Sequence, residues 1–212
     1  MKLASKRLAS LVLARFARGV VATDAAPGLV VKARAAEVLS LMQRAANKHA
    51  LRRLAERTLL PRFDFGQMTR LAVGAAWFKA SQKQQRALEN GFRALLVSTY
   101  TTSLSSGASA DMQLEVKPVR HSSTHEVIVK TLIKRAGAPA AAIDYAMEHQ
   151  RSGWKVYDVL VDGVSLMTTY RETFIEELGR SGIDGLIKAL NGKDRRRSVR
   201  HGSYDRLSAW TA

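Results

Sequence analysis

Cysteine is absent from the 212 residues, which excludes disulfides, thiolate-bound metals and a cysteine nucleophile while leaving the redox compartment open. Long apolar runs are lacking too. Arg, Lys, Asp or Glu interrupts every hydrophobic stretch before the roughly 18 to 20 residues that a membrane-spanning helix needs. There is no glycine-rich phosphate loop, no Gly-x-Ser-x-Gly elbow and no regular alternation of strand with helix, which argues against a nucleotide-binding fold and a serine hydrolase. Repeats and low-complexity linkers are also missing. Acidic residues are scarce, 18 against 34 Lys and Arg, for a net charge of +16.

That charge invites a nucleic-acid reading, and its distribution argues against one. Residues 1–34 hold seven basic residues against Asp24, and residues 193–212 hold six against Asp194 and Asp205, so the termini carry +6 and +4 and the whole middle only +6. In the middle both signs are interspersed, without the single cationic face and stacking aromatics that a nucleic-acid module uses. With 46% hydrophobic and 25% charged residues, the chain suits one globular domain with a sizeable core. The expected organisation is a leader over 1–30, a domain over 31–192 and a basic tail over 193–212 around Arg195, Arg196, Arg197 and Arg200. In the leader, Lys2, Lys6 and Arg7 precede a short apolar run from Leu8 to Ala14, and small residues stand near Ala22 to Ala26. This is the layout of an export signal. Arg15, Arg18 and Asp24 make it an atypical one, and a basic or disordered leader is the alternative.

Hydrophobic periodicity changes once along the domain. Ala35, Val38, Leu39, Met42, Ala45 and Ala46 share one helical face in a region predicted to run from Val31 to Leu60, where Pro61 ends it. A second helix is predicted over Met68 to Lys79. Ser81 is placed to cap a third, long one, in which Leu88, Phe92, Leu95, Leu96, Thr99 and Leu104 recur at three- and four-residue steps. Beyond Ser105, Ser106 and Gly107 the period falls to two. Four strands are predicted: Met112 to Val116, Val127 to Ile133, Ile143 to Met147 and Val156 to Val161, with short turns at His121 to Thr124, Gly137 to Pro139 and Arg151 to Gly153. Two helices close the domain, the first carrying Met167, Tyr170, Phe174 and Leu178 and the second Ile183, Leu186, Ile187 and Leu190, with Gly192 as its stop. Helices, then hairpin-linked strands, then helices make an α+β domain with helices packed on a twisted antiparallel sheet of about four strands.

Candidate chemistry is thin. His49, His149 and His201 are scattered, while His121 and His125 flank a turn with no third ligand near, so no metal is expected. Asp64, Asp144 and Asp158 could form an acid–base pair in a half-open cone of the isomerase type, yet a turn, an outward strand position and a structural hydrogen bond account for them one by one. The apolar residues say more. Phe63, Phe65, Met68, Val73, Trp77, Leu96 and Tyr100 come from the helical half. Tyr145, Ala146, Val161, Val164, Leu166 and Met167 come from the strands and the segment that leads into the first closing helix. By composition alone these form a core, filled or hollow.

Three stretches carry a resemblance. The first is Leu59-Leu60-Pro61-Arg62-Phe63-Asp64-Phe65 with Met68, Ala72-Val73-Gly74 and Trp77. The second is Ala80-Ser81 through Gln85 to Phe92, Leu95, Leu96, Thr99-Tyr100 and Leu104. The third is Trp154-Lys155-Val156-Tyr157-Asp158, Gly163-Val164-Ser165-Leu166, Tyr170-Arg171, Phe174 and Gly182-Ile183-Asp184-Gly185-Leu186-Ile187. In this order and spacing they resemble the MlaC (toluene-tolerance) family of periplasmic phospholipid-binding proteins over most of residues 30–192. The resemblance implies an α+β fold enclosing a deep apolar pocket that takes acyl chains and leaves the head group at the mouth. It also implies no catalytic residues and no cofactor, with phospholipid as the cargo. It further implies a monomer exported to the periplasm, exchanging lipid with an outer-membrane lipoprotein and with an inner-membrane ABC transporter that has an MCE-type subunit. Tyr100, Ala146 and Val164 map to the pocket. Departures are Ala146, where a polar side chain is common, Leu88, where Phe is usual, and the two termini. A hopanoid in place of phospholipid, an isomerase-like enzyme, and a module for nucleic acid or an acidic partner are the alternatives.

Overall fold

Asp64 starts helix Phe65–Val73 because its carboxylate can do for a helix start what the backbone cannot: Oδ1 accepts from the Gln67 N–H at 2.8 Å, which satisfies one of the unpaired amides of the first turn. In the computed structural model, residues 26–33, 36, 53, 56–107, 113–117, 125–135 and 137–192 are described. Residues 27–33 are helical; most of the helix expected over Val31 to Leu60, the leader before residue 26 and the tail after residue 192 lie outside the described residues.

A 3-10 turn at Leu60–Arg62 leads into helix α1, Phe65–Val73. The helix expected from Met68 to Lys79 is not continuous. Gly74 turns to φ +65°, and Gly74–Lys79 winds as a 3-10 helix instead. The positive φ explains the break, since only glycine adopts it without steric cost. Helix α2, Gln82–Gly107, opens with a reciprocal cap: the Gln84 N–H donates to Ser81 Oγ at 3.3 Å, and the Ser81 N–H donates to Gln84 Oε1 at 3.0 Å. Ser81 is thus the cap that its position predicts.

The sheet has six strands rather than about four: β1 Gln113–Val116, β2 Glu126–Val129, β3 Thr131–Arg135, β4 Ala138–Gln150, β5 Gly153–Val161 and β6 Val164–Ser165. All pairings are antiparallel, in the order β1-β3-β4-β5-β6 with β2 also on β4, and the sheet is open. The extra strands have local causes. The run expected as one strand from Val127 to Ile133 divides at Lys130, where the Thr131 N–H turns to Asp144 Oδ1 at 3.2 Å and the Thr131 hydroxyl donates to the Ile143 carbonyl. Its two halves still lie end to end along β4. The sixth strand comes from the hairpin Asp162-Gly163, both at positive φ, the backbone that matches strand twist in a two-residue turn.

Helix α3, Leu166–Asn191, is broken by the non-helical Gly182, with φ 67° and ψ −169°, so the two predicted closing helices are present as its two arms. Gly192 ends the second arm with its N–H on the Lys188 carbonyl at 2.8 Å. Helix α3 packs on α1, α2 and β5. Gly91 permits the α2 contact, because a Cβ there would sit 2.8 Å from Leu190 Cβ. Arg171 Nε donates to the Leu71 carbonyl at 2.7 Å, satisfying an unpaired acceptor of the last turn of α1.

Candidate functional site

Most buried apolar residues of the described chain fall into two clusters, and the division is the main geometric fact about the site. The first lies among the helices: Phe92 meets Tyr170 and Phe174 edge-on, with ring centroids 4.9 and 5.2 Å apart, a geometry that places the positive ring edge on a negative face. Around them pack Leu88, Leu186 and Leu190 with the end of β5. Leu88, where a Phe was expected by resemblance, is fully buried. The second cluster lies on one face of the sheet. Strand period puts Val127 and Val129 of β2 opposite Met147 and Tyr145 of β4, and they pack with Val156, Val31 and the edges of Val116 and Trp154. Phe63 and Val159 touch both clusters and are buried in neither.

The candidate residues distribute unevenly over this frame. Phe65, Met68, Val73, Leu96, Val161, Leu166 and Met167 are buried together in the helical cluster, with Trp77 at its edge. Phe63 stands at the junction. The Phe63 and Phe65 rings stack at 6.0 Å, and the Arg93 guanidinium lies 5.3 Å from the centre of the Phe65 ring, a cation–π contact. Tyr145 borders the sheet cluster. Burial, with Asp144 nearby, pushes its phenol up to about 12, since a phenolate would have to form away from water. Ala146 is buried, and its partner in the register is Asp158, which places it on the opposite face of β4 from Tyr145. Val164 is 37% exposed on the outermost strand. The side chain of Tyr100 lies outside the described residues.

The sheet cluster is what reading the sequence for bulky, flexible residues overlooks. Val127, Val129, Met147 and Val156 announce themselves only by period-two alternation, a signal that marks them as strand residues and nothing more.

The three carboxylates all serve the scaffold. Asp158 Oδ2 accepts from the Ser165 hydroxyl at 2.5 Å and its Oδ1 from the Met167 N–H at 3.2 Å, while Ser165 Oγ accepts from the Thr168 N–H at 3.0 Å. Together they cap α3. Asp144 bridges the break at Lys130, and Asp64 caps α1 while accepting from Gln150 Nε2 at 2.6 Å. The backbone of that segment is tied down as well: the Asp64 N–H donates to the Val156 carbonyl at 2.8 Å, beside a parallel bridge between Phe63 and Val156. Among the described residues no three His, Asp or Glu side chains converge as a metal site would require, and no helix is long and apolar enough to cross a membrane. His121 lies outside them.

Residues 32–192 match the family model of the MlaC protein. The chain belongs to the MlaC family. Its fold is similar to the phospholipid-binding protein from Ralstonia solanacearum, whose structure is a complex with a phospholipid. The two share 28% identity and a TM-score of 0.72, over 81% of this chain and 97% of that one. Within the MlaC motifs, the polar members now have identifiable duties here. Asp158, Ser165, Arg171 and Asp184, the last accepting from Gln84 Nε2 at 2.8 Å, fasten helix ends and helix pairs. Of the apolar members, most lie in the helical cluster, Trp154 and Val156 belong with the sheet cluster, and Val164 is in neither.

Proposed function

We propose that this protein is a carrier of phospholipid, holding acyl chains between the helical cluster and the sheet cluster with the head group at the mouth. The observation that carries the reading is the likeness, over 81% of this chain and 97% of the other, to a relative with a phospholipid bound. The division of the core supports it. A domain of this size ordinarily packs around one contiguous core, whereas among the described residues two clusters meet through the partly buried Phe63 and Val159. A chain-shaped apolar cargo fits such a seam. The pocket liners proposed are Phe63 at the junction, Phe65 and Val161 of the helical cluster and Tyr145 beside the sheet cluster, with Met68 and Met167 as flexible neighbours suited to chains of varying length.

Physical chemistry sets what such a carrier must do. Each buried methylene is worth about 0.8 kcal/mol, so a lipid with roughly thirty of them loses on the order of 20 kcal/mol in water. Net transfer then turns on the small difference between pocket and bilayer. A site much poorer than the bilayer stays empty, and one much richer never releases. A carrier needs apolar walls and shape, and no acid–base pair; the scaffold duties of Asp64, Asp144 and Asp158 accord with a binding protein rather than an enzyme. The family suggests the finer role: export to the periplasm and exchange of lipid between an outer-membrane lipoprotein and an inner-membrane ABC transporter with an MCE-type subunit.

Mass spectrometry of the organic extract of the purified protein tests the reading. Phospholipid at close to one per chain is expected. An empty extract, with no uptake of added phospholipid, ends it, and a hopanoid in place of phospholipid would redirect it.

A further inference from the structure

The α1–α2 connection packs Ala76, Trp77 and Ala80 against the helical cluster and turns its other side chains outward. Phe78 is 76% exposed, the most exposed large hydrophobic side chain among the described residues. It sits near the end of the 3-10 helix that joins α1 to α2. An exposed aromatic ring standing alone needs no explanation; this one has company. Residues 65–88 contain Arg70, Lys79, Lys83 and Arg86 and not one carboxylate, and all four cations are exposed. Lys79 adjoins Phe78, and Lys83 and Arg86 are three apart on the opening turns of α2, so they share a side. The start of α2 adds the positive end of its dipole. From α3, Arg171 comes within 3.8 Å of where a Gly74 Cβ would stand. Of the neighbouring carboxylates, Asp184 of α3 accepts from Gln84, and Asp64 and Glu89, which bound the segment, lie together beside Gly66 at the start of α1.

We infer that the α1–α2 connection is a membrane-docking tip: Phe78 inserts at the level of the head groups while Lys79, Lys83 and Arg86 lie on an anionic lipid surface. Charge complementarity selects the occupant. One aromatic side chain offers too little area for a stable protein interface, which buries roughly 800 Å² on each side. A bilayer boundary asks only for an apolar side chain that enters and cations that stay outside. The inference rests on the carrier reading for its purpose, since exchange with membrane-bound partners takes place at a bilayer surface, where a docked tip would hold the protein.

The test is flotation of the full-length protein with vesicles of phosphatidylcholine alone and with phosphatidylglycerol added to about one quarter, at physiological salt. Binding to the anionic vesicles is expected. Phe78→Ala should weaken it about tenfold. The triple reversal K79E/K83E/R86E should weaken it by more than about a hundredfold, at about fivefold for each cation removed and more for each anion gained. A charge-matched control, K32E/K130E/R151E, reverses exposed cations elsewhere and should retain most of the binding. Equal losses in the two triple variants would overturn the inference, because general positive charge would then account for binding. So would an absence of vesicle binding, and if polyglutamate-coated resin then captured the protein through the same residues, an acidic protein partner would replace the membrane. Extracted lipid is measured on each preparation. A protein that binds vesicles through the tip yet carries no lipid would refute the carrier reading alone, and a loaded protein that ignores vesicles would refute the tip alone.

Discussion

Replacing Asp158 by Asn separates scaffold from site. The carboxylate accepts from the Ser165 hydroxyl at 2.5 Å and from the Met167 amide at 3.2 Å, both at the first turn of α3. Hydrogen bonds to a charged group contribute about 1.5 to 3 kcal/mol each, and a carboxylate at a helix start about 0.3 to 1 kcal/mol more. Asparagine keeps one acceptor oxygen and the shape, so the expected loss is about 2 kcal/mol, and Asp158→Ala should lose about 3 kcal/mol on the same scale. With an m-value of about 2 kcal/mol/M, the urea midpoint should fall by about 1 M for Asp158→Asn. Ser165→Ala should couple to it by about 1 kcal/mol in a double-mutant cycle, because the two share a bond. Below its unfolding transition, the Asn variant should carry as much lipid per chain as the wild type. An unchanged midpoint with lost lipid would refute the reasoning and return Asp158 to the binding site.

Three further outcomes are expected. Val159→Glu should put a charge at the junction of the two clusters and empty the protein of lipid, whereas Val164→Glu, on a side chain 37% exposed, should leave the lipid in place; extraction and mass spectrometry of both folded variants decides. Gly182→Ala should lower stability by about 1 to 2 kcal/mol because its φ is +67°, while Gly179→Ala, with nothing within 4 Å and no positive φ, should be neutral or slightly stabilising, as read by thermal melting. In an ultraviolet pH titration, one tyrosine absent from Tyr145→Phe should ionise near pH 12. The unfolded phenol loses its proton from about pH 10 upward while the folded one keeps it, so stability should fall as pH rises from about 10 to 12 and level off above.

How much of the molecule is legible in its sequence depends on where the information resides. The α+β order comes through because periods of 3.6 and 2 are written in single residues, and so does the Ser81 cap, a local contact three residues long. The break at Gly74 does not, since Ala72-Val73-Gly74-Ala75-Ala76 reads as helix until the positive φ is seen. Nor does the division at Lys130, which depends on Asp144 reaching Thr131 from another strand. The resemblance supplies the family. Position in the folded chain, however, separates Val164, on an exposed edge, from Val161, buried three residues earlier, and no feature of either side chain distinguishes them. The same limit hides the sheet cluster, because alternation states which residues share a face and is silent on what comes to lie against it.

Strand β4 takes part in three of the five strand pairings, with β2, β3 and β5. Without it, only the fragments β1–β3 and β5–β6 would stay zipped. A sheet hung on one spine cannot loosen by degrees. Its central amides should therefore exchange with deuterium more slowly than those of β1 and β6 at the edges.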